Sequence, residues 1–223
     1  MSRIRVLMAD DHMLLLEACA KLIEPHFDVV GLVSDGHALF KSAMELKPDV
    51  IVLDISMPLL NGLDAGRRVK KLLPGVKLVF LTMYEDPDLA NEAMRCGASA
   101  YLLKSSAASD LVDSIKASLK GRTYVSPRLS RAMQDSFIRD PQKKHQSKEL
   151  TPRQREVLQL LAEGRPMKEA AYILNLSTRT VAFHKYRMME QLGLKSSAEL
   201  IQFAVSNHIV SCEKFSTDST DVA

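Results

Sequence analysis

The chain has 223 residues, 46% hydrophobic and 26% charged, and its 30 Lys plus Arg against 27 Asp plus Glu leave a formal net charge of +3. That composition excludes a disorder-dominated chain, and the length suffices for one large domain or two small ones that bury cores without disulfides or metals. Cys19, Cys96 and Cys212 form neither a CxxC pair nor a Cys/His cluster, which argues against a disulfide framework or a zinc site.

Charge is uneven along the chain. Residues 1–125 carry 15 basic and 16 acidic residues, whereas residues 126–223 carry 15 and 11. The excess in the second half hints at nucleic acid, although four charges also suit an ordinary solvated face. No signal-peptide core and no run of about 20 apolar residues occurs. The expectation is a cytoplasmic protein without membrane contact.

In chain order, the first half alternates apolar runs with segments of helical spacing. The runs are Ile4 to Ala9, Val29 to Val33, Val50 to Leu53, Lys77 to Leu81 and Ala100 to Leu103. Helical patterns follow at about Met13 to Ile23, Ala38 to Leu46, Leu63 to Leu73, Leu89 to Cys96 and Leu111 to Leu119. Five βα units with continuously apolar strands predict an α/β fold, a doubly wound five-stranded parallel sheet. Residues 126–149 show little periodicity beyond a turn at Leu129 to Met133 and read as a linker. From Leu150 the pattern is all helical. Thr151 before Pro152 caps a first helix that stops at Gly164, a second runs from Met167 to Leu174, and Ser177 caps a longer one ending near Gly193. A last helix spans Ser197 to Val205, and the Ser, Thr and Asp-rich end reads as a frayed tail.

Asp10 and Asp11 follow the first strand, Asp54 the third, Thr82 the fourth and Lys104 the fifth. Ligands bind at the carboxyl ends of such strands, where strand order reverses. Three converging carboxylates repel, which raises their pKa values or requires a counter-ion, and hard oxygen ligands suit Mg²⁺. A carboxylate can also attack a phosphoryl group, with a metal and a lysine neutralising the equatorial oxygens. Asp54 at the end of the central strand is the expected attacker, the loop through Ser56 offers a backbone carbonyl to the metal, and Lys104 pairs with the phosphate. Taken singly, each residue also suits a helix cap, a turn hydroxyl or a solvated charge.

Asp10-Asp11, Asp54 with Met57-Pro58 and Gly62, Leu81-Thr82, Tyr101 and Lys104-Ser105 resemble the motifs of a response-regulator receiver domain over about residues 3–122. The resemblance implies Asp54 as phospho-acceptor, Mg²⁺ held by Asp10, Asp11 and Asp54 with the Ser56 carbonyl, and Lys104 on the phosphoryl oxygens. It makes Thr82 the switch hydroxyl that vacates space for Tyr101. Met83, where many receivers have a small residue, departs from the pattern.

Leu150-Thr151-Pro152-Arg153, Glu156-Val157-Leu158, Ala162-Glu163-Gly164, Lys168-Glu169-Ala170-Ala171, Thr180-Val181, His184 and Leu192-Gly193 resemble the LuxR-type helix-turn-helix. Together the halves resemble a two-component response regulator of the NarL/FixJ family. Independently, a helix, short turn and capped helix is the geometry that lays a second helix in the major groove. Val181, His184, Met188 and Leu192 form its inward stripe. Expected DNA contacts are Arg179, Thr180, Ala182, Phe183, Lys185, Tyr186 and Arg187. Ala182 stands where many relatives carry Lys, so apolar contact with thymine methyls is expected in its place. Packing of Phe183 and Tyr186 against the protein's own first helix or a partner subunit is the alternative.

The domains predicted are a receiver over 1–124, a linker over 125–148, a DNA-binding domain over 149–212 and a tail over 213–223. The predicted partners are double-stranded DNA, a sensor histidine kinase and a second copy of the chain, with phosphorylation unmasking the recognition helix or driving dimerisation. No enzymatic activity is expected beyond self-phosphotransfer and autodephosphorylation. The alternative is a transcription factor governed by a partner or ligand independently of phosphorylation. An aspartyl phosphatase of the haloacid dehalogenase class is disfavoured because Ser56 stands where it needs a second Asp. A dinucleotide-binding oxidoreductase fails for want of a GxGxxG after the first strand.

Overall fold

Strand β1 (Arg5–Ala9) and strand β3 (Val50–Leu53) lie side by side within a parallel sheet whose other strands are β2 (Asp28–Val33), β4 (Lys77–Thr82), β5 (Ala98–Leu103) and β6 (Tyr124–Val125). The strand order is β2-β1-β3-β4-β5-β6. The computed structural model describes residues 3–139 and 150–210. The chain divides into two units, residues 1–143 and 144–223.

Because side chains alternate across a strand, each strand feeds two cores. Leu7, Ile51, Leu53 and Phe80 face a core completed by helices α2 (Gly36–Leu46), α3 (Gly62–Leu72) and α4 (Pro87–Arg95). Val6, Met8, Val50, Val52, Val79 and Leu81 face another core, completed by α1 (Met13–Ile23) and α5 (Ala107–Leu119). Both faces are thereby covered, which is why these strands read as uninterrupted apolar runs.

Two expectations need correction. The sheet has six strands, because Tyr124 and Val125 pair in parallel with Ala100 and Tyr101. The segment expected to be linker from residue 125 instead begins with the end of this strand and continues as helix α6 (Pro127–Arg139). Leu129 is buried and Met133 packs against the α2–α4 core. Leu129, Met133 and Phe137 recur at intervals of four in the sequence, a helical stripe that the polar residues around it and the lack of a neighbouring apolar run obscured. Helix α4 also starts earlier than its apolar pattern, at Pro87, because the Asp86 carboxylate accepts the Asp88 and Leu89 amides at 2.8 and 3.4 Å.

In the second unit, α7 (Pro152–Ala162) opens with a capping box between Thr151 and Gln154. Helices α8 (Met167–Ile173), α9 (Thr178–Leu192) and α10 (Ser197–Ser206) follow. Gly193 ends α9 with φ at 73°, a left-handed cap suited to glycine. The buried residues Val157, Leu158, Ala170, Leu174, Val181, Met188 and Leu200 form the interior. The expected tail from residue 213, and Cys212, lie outside the described residues. Among the described residues no helix is long and apolar enough to cross a membrane.

Candidate functional site

At the carboxyl edge of the sheet, β1 delivers Asp10, β3 delivers Asp54 and β5 delivers Lys104, and all three are buried. The Lys104 ammonium lies 2.7 Å from Asp10 Oδ2 and 3.0 Å from Asp54 Oδ2. The other Asp54 oxygen, Oδ1, accepts the Ile55 amide at 2.7 Å. Burial opposes the charge on Lys104, yet Asp54 and Asp10 outweigh it and hold the ammonium above its ordinary pKa. Burial pushes the Asp54 carboxyl up, and Lys104 pulls it back only in part.

One ligand atom from each of Asp10, Asp11, His12 and Asp54 lies within 4.8 Å of the others. His12 Nδ1 is 3.2 Å from Asp10 Oδ1 and 3.1 Å from Asp11 Oδ1. The sequence motifs do not mark His12. Its only signal was adjacency to the Asp10-Asp11 pair. Asp10 and Asp54 face the Lys104 ammonium and Asp11 lies beside them, and hard oxygen donors gathered in this way fit a divalent cation.

Thr82 closes β4 in the buried interior, and its hydroxyl accepts the Tyr84 amide at 3.3 Å. Tyr101 is fully buried, with its phenol donating to the Tyr84 carbonyl at 3.3 Å, so the ring already occupies the interior. Desolvation first, then Asp86 and Asp54, pushes that phenol's pKa up and keeps it protonated as a donor. The Ser56 hydroxyl donates to the Tyr84 phenol oxygen at 3.3 Å. Tyr84 thus touches Ser56, Thr82 and Tyr101. Nothing in the linear pattern marks it, because the loop after β4 must fold back to bring it there. Met83 points out, 65% exposed.

The second unit carries a different surface. Ser177 caps α9 by accepting the Thr180 amide at 3.1 Å, and its hydroxyl lies 2.8 Å from that of Thr180, so Thr180 belongs to the cap as well as to the expected contact face. Phe183 and Tyr186 are 56% and 62% exposed, so neither packs on the unit's own first helix, while a partner subunit stays open to them. The Arg187 guanidinium sits 5.9 Å from the Phe183 ring centre and the Lys185 ammonium 5.7 Å from that of Tyr186. Arg179 is exposed, and Ala182 and Lys185 are half-buried. Val181 and Met188 face inward and buried, while His184 is only half-buried, its pKa lowered by desolvation and by Arg153. Arg153 in turn donates to the Leu174 carbonyl and to Glu156, both at 2.6 Å, fastening the end of α8 to α7.

The sequence model described as response regulator receiver domain matches residues 6–116, and that for bacterial regulatory proteins of the luxR family matches residues 148–204. The oxygen regulatory protein NreC of Staphylococcus aureus is 32% identical over 214 residues, covering 92% of this chain and 99% of the relative. The chain belongs to the NarL/FixJ family of response regulators. This response regulator is also similar to RcsB of Salmonella typhimurium, with a TM-score of 0.63 and 28% identity, covering 92% of this chain and 98% of that one. A structure of the RcsB–DNA complex matches with a TM-score of 0.57 and 28% identity over 92% and 99% of the two chains. A LuxR-family response regulator from Aurantimonas sp. SI85-9A1 matches at 30% identity and a TM-score of 0.59, covering 61% of this chain and 99% of that one. The regulator therefore joins a receiver of six parallel strands to a LuxR-type DNA-binding unit, and it is a DNA-binding response regulator of transcription.

Proposed function

We propose that Asp54 accepts a phosphoryl group from a sensor histidine kinase and that this modification controls DNA binding by α9. The observation that carries the reading is the buried Lys104 ammonium held at 2.7 and 3.0 Å between Asp10 and Asp54. In the transfer, the Asp54 carboxylate bonds to phosphorus, the P–N bond to the kinase histidine breaks, and its electron pair returns to the imidazole nitrogen. Lys104 pairs with the Asp54 carboxylate and orients it before transfer, offsetting part of the burial that opposes its charge, and pairs with a phosphoryl oxygen afterwards. Asp10, Asp11, Asp54 and the Ser56 backbone carbonyl would hold Mg²⁺. Once bound, it supplies charge neutralisation at the phosphoryl oxygens. Thr82 exchanges its contact with the Tyr84 amide for one to the phosphoryl group, and Tyr101, whose ring is already inward, acts as the switch through its bond to the Tyr84 carbonyl. Apart from this self-phosphotransfer and hydrolysis of the resulting acyl phosphate, the protein turns over no substrate.

Purified full-length protein with acetyl phosphate and Mg²⁺ is expected to take up one phosphoryl group, and Asp54→Asn to take up none. An unlabelled wild type would overturn this reading in favour of control by a partner or ligand.

On the DNA side, Arg179, Thr180, Ala182, Phe183, Lys185, Tyr186 and Arg187 are the proposed contacts, with basic residues on phosphates and Ala182 and Phe183 on thymine methyls. The exposure of Phe183 and the binding of DNA by RcsB support this. Replacing thymine by uracil at the contacted steps is expected to weaken binding, and unchanged affinity would remove the methyl contact. A unit of this size needs two copies on two half-sites, hence a homodimer on DNA. The receiver is assigned to 1–124 with the rest of β6 and α6 added, and the DNA-binding domain to 149–212. A cytoplasmic location follows from these partners.

A further inference from the structure

We propose that Ser126 is a positioning residue that couples the phosphorylation site to helix α6, from which the chain continues toward the DNA-binding unit. The proposal rests on the reading of Asp54 as phospho-acceptor.

Ser126 is 2% exposed. Its backbone amide donates to the Tyr101 carbonyl at 3.1 Å, and its hydroxyl accepts the Leu103 amide at 3.3 Å. That hydroxyl also lies 3.3 Å from the Ser106 hydroxyl, which itself donates to the Leu103 carbonyl at 3.1 Å. Tyr101 and Leu103 precede Lys104 on β5, and Ser106 closes the 3-10 turn that Lys104 opens. The partners of this serine thus flank, along the chain, the Lys104 residue whose side chain holds Asp54.

Strand β6 stops at Val125, so it presents no further backbone carbonyl to β5. The Ser126 hydroxyl meets the Leu103 amide instead, and a buried amide left without a partner is costly. The same residue starts α6, since the Ser130 amide donates to the Ser126 carbonyl at 3.0 Å. Three residues on, Leu129 is buried in the core cluster that contains Tyr101, with Met133 packed against that cluster. The start of α6 is therefore fixed to the backbone of the switch strand by hydrogen bonds and to the switch aromatic's surroundings by packing. A shift of Lys104 and β5 on phosphorylation passes into α6 because packed junctions of this kind change between discrete arrangements.

The test uses the full chain with acetyl phosphate and Mg²⁺, comparing wild type, Ser126→Ala and Ser126→Thr. Three quantities are measured: the phosphorylation rate, the ratio of DNA affinities with and without phosphate, and hydrogen exchange of the amides of residues 127–133. Phosphorylation of the wild type is expected to change affinity on the order of tenfold and to alter exchange in 127–133. Ser126→Ala is expected to be phosphorylated at the wild-type rate while its affinity ratio falls to about one and its exchange no longer responds. Ser126→Thr, which keeps the hydroxyl, is expected to recover the response. A wild-type ratio in Ser126→Ala overturns the proposal, and so does a loss of response explained by slowed phosphorylation. Failure of the underlying reading is separately visible, because the wild type itself would then take up no phosphate.

Discussion

Gly62 stands where a side chain has no room: a Cβ there would meet the Asp54 carbonyl oxygen at 1.9 Å and the Ile55 Cα at 3.0 Å. Both are backbone atoms of the loop that aims Asp54, so Gly62→Ala must displace the proposed phospho-acceptor. The expected cost is about 1–3 kcal/mol, read by urea denaturation, together with slower uptake of phosphate from acetyl phosphate. At this scale much was legible in the sequence. Asp10, Asp54 and Lys104 announce themselves because each ends an apolar run, and the carboxyl edge of a parallel sheet gathers whatever ends its strands. His12 and Tyr84 were not legible. His12 looked like an ordinary residue at a helix start, and Tyr84 becomes relevant only once its loop returns toward Ser56, Thr82 and Tyr101.

Among the elements, α9 shows both what spacing decides and where it falls short. The period of 3.6 separated Val181 and Met188 from Phe183 and Tyr186, and the burial follows that division. His184, assigned to the inward stripe, lies at its margin, half-buried with the Arg153 cation of α7 acting on it. Its pKa is lower folded than unfolded, so the unfolded chain protonates first as pH falls. The neutral imidazole's contribution is therefore complete above the ordinary value of about 6.5 and declines below it until the folded protein also protonates. Wild-type melting temperature is expected to fall more between pH 7 and pH 5 than that of His184→Gln, and parallel profiles for the two proteins would contradict this. Helix α6 is the converse case, an element expected as linker. Its described apolar contacts, Leu129 and Met133, pack on the receiver core, and a reading as linker gives too little weight to the spacing of Leu129, Met133 and Phe137.

For the whole molecule, the net charge of +3 is a sum over unlike parts. Residues 1–125 have one more acidic than basic residue, whereas residues 150–212 carry eight basic against five acidic. The proposed phosphate contacts of one copy are Arg179, Lys185 and Arg187. A dimer engaging six phosphates predicts that log affinity falls against log salt with a slope of about −5, whereas one copy alone gives about −3. Titration of DNA binding between low and moderate salt measures the slope, and the shallower value would overturn binding as a dimer.

Residue order alone determined the two-part architecture, the parallel sheet and the edge at which Asp10, Asp54 and Lys104 meet. Each of these follows from local periodicity and from the fixed geometry of βα units. Tertiary structure decided the sixth strand, the docking of α6, the inward position of Tyr101 and the junction at Ser126. These depend on partners many residues distant: Ser126 bonds to Tyr101 and Leu103, and Tyr101 bonds to Tyr84. A serine with a polar neighbourhood reads as a linker until the strand beside it supplies the amide that its hydroxyl accepts.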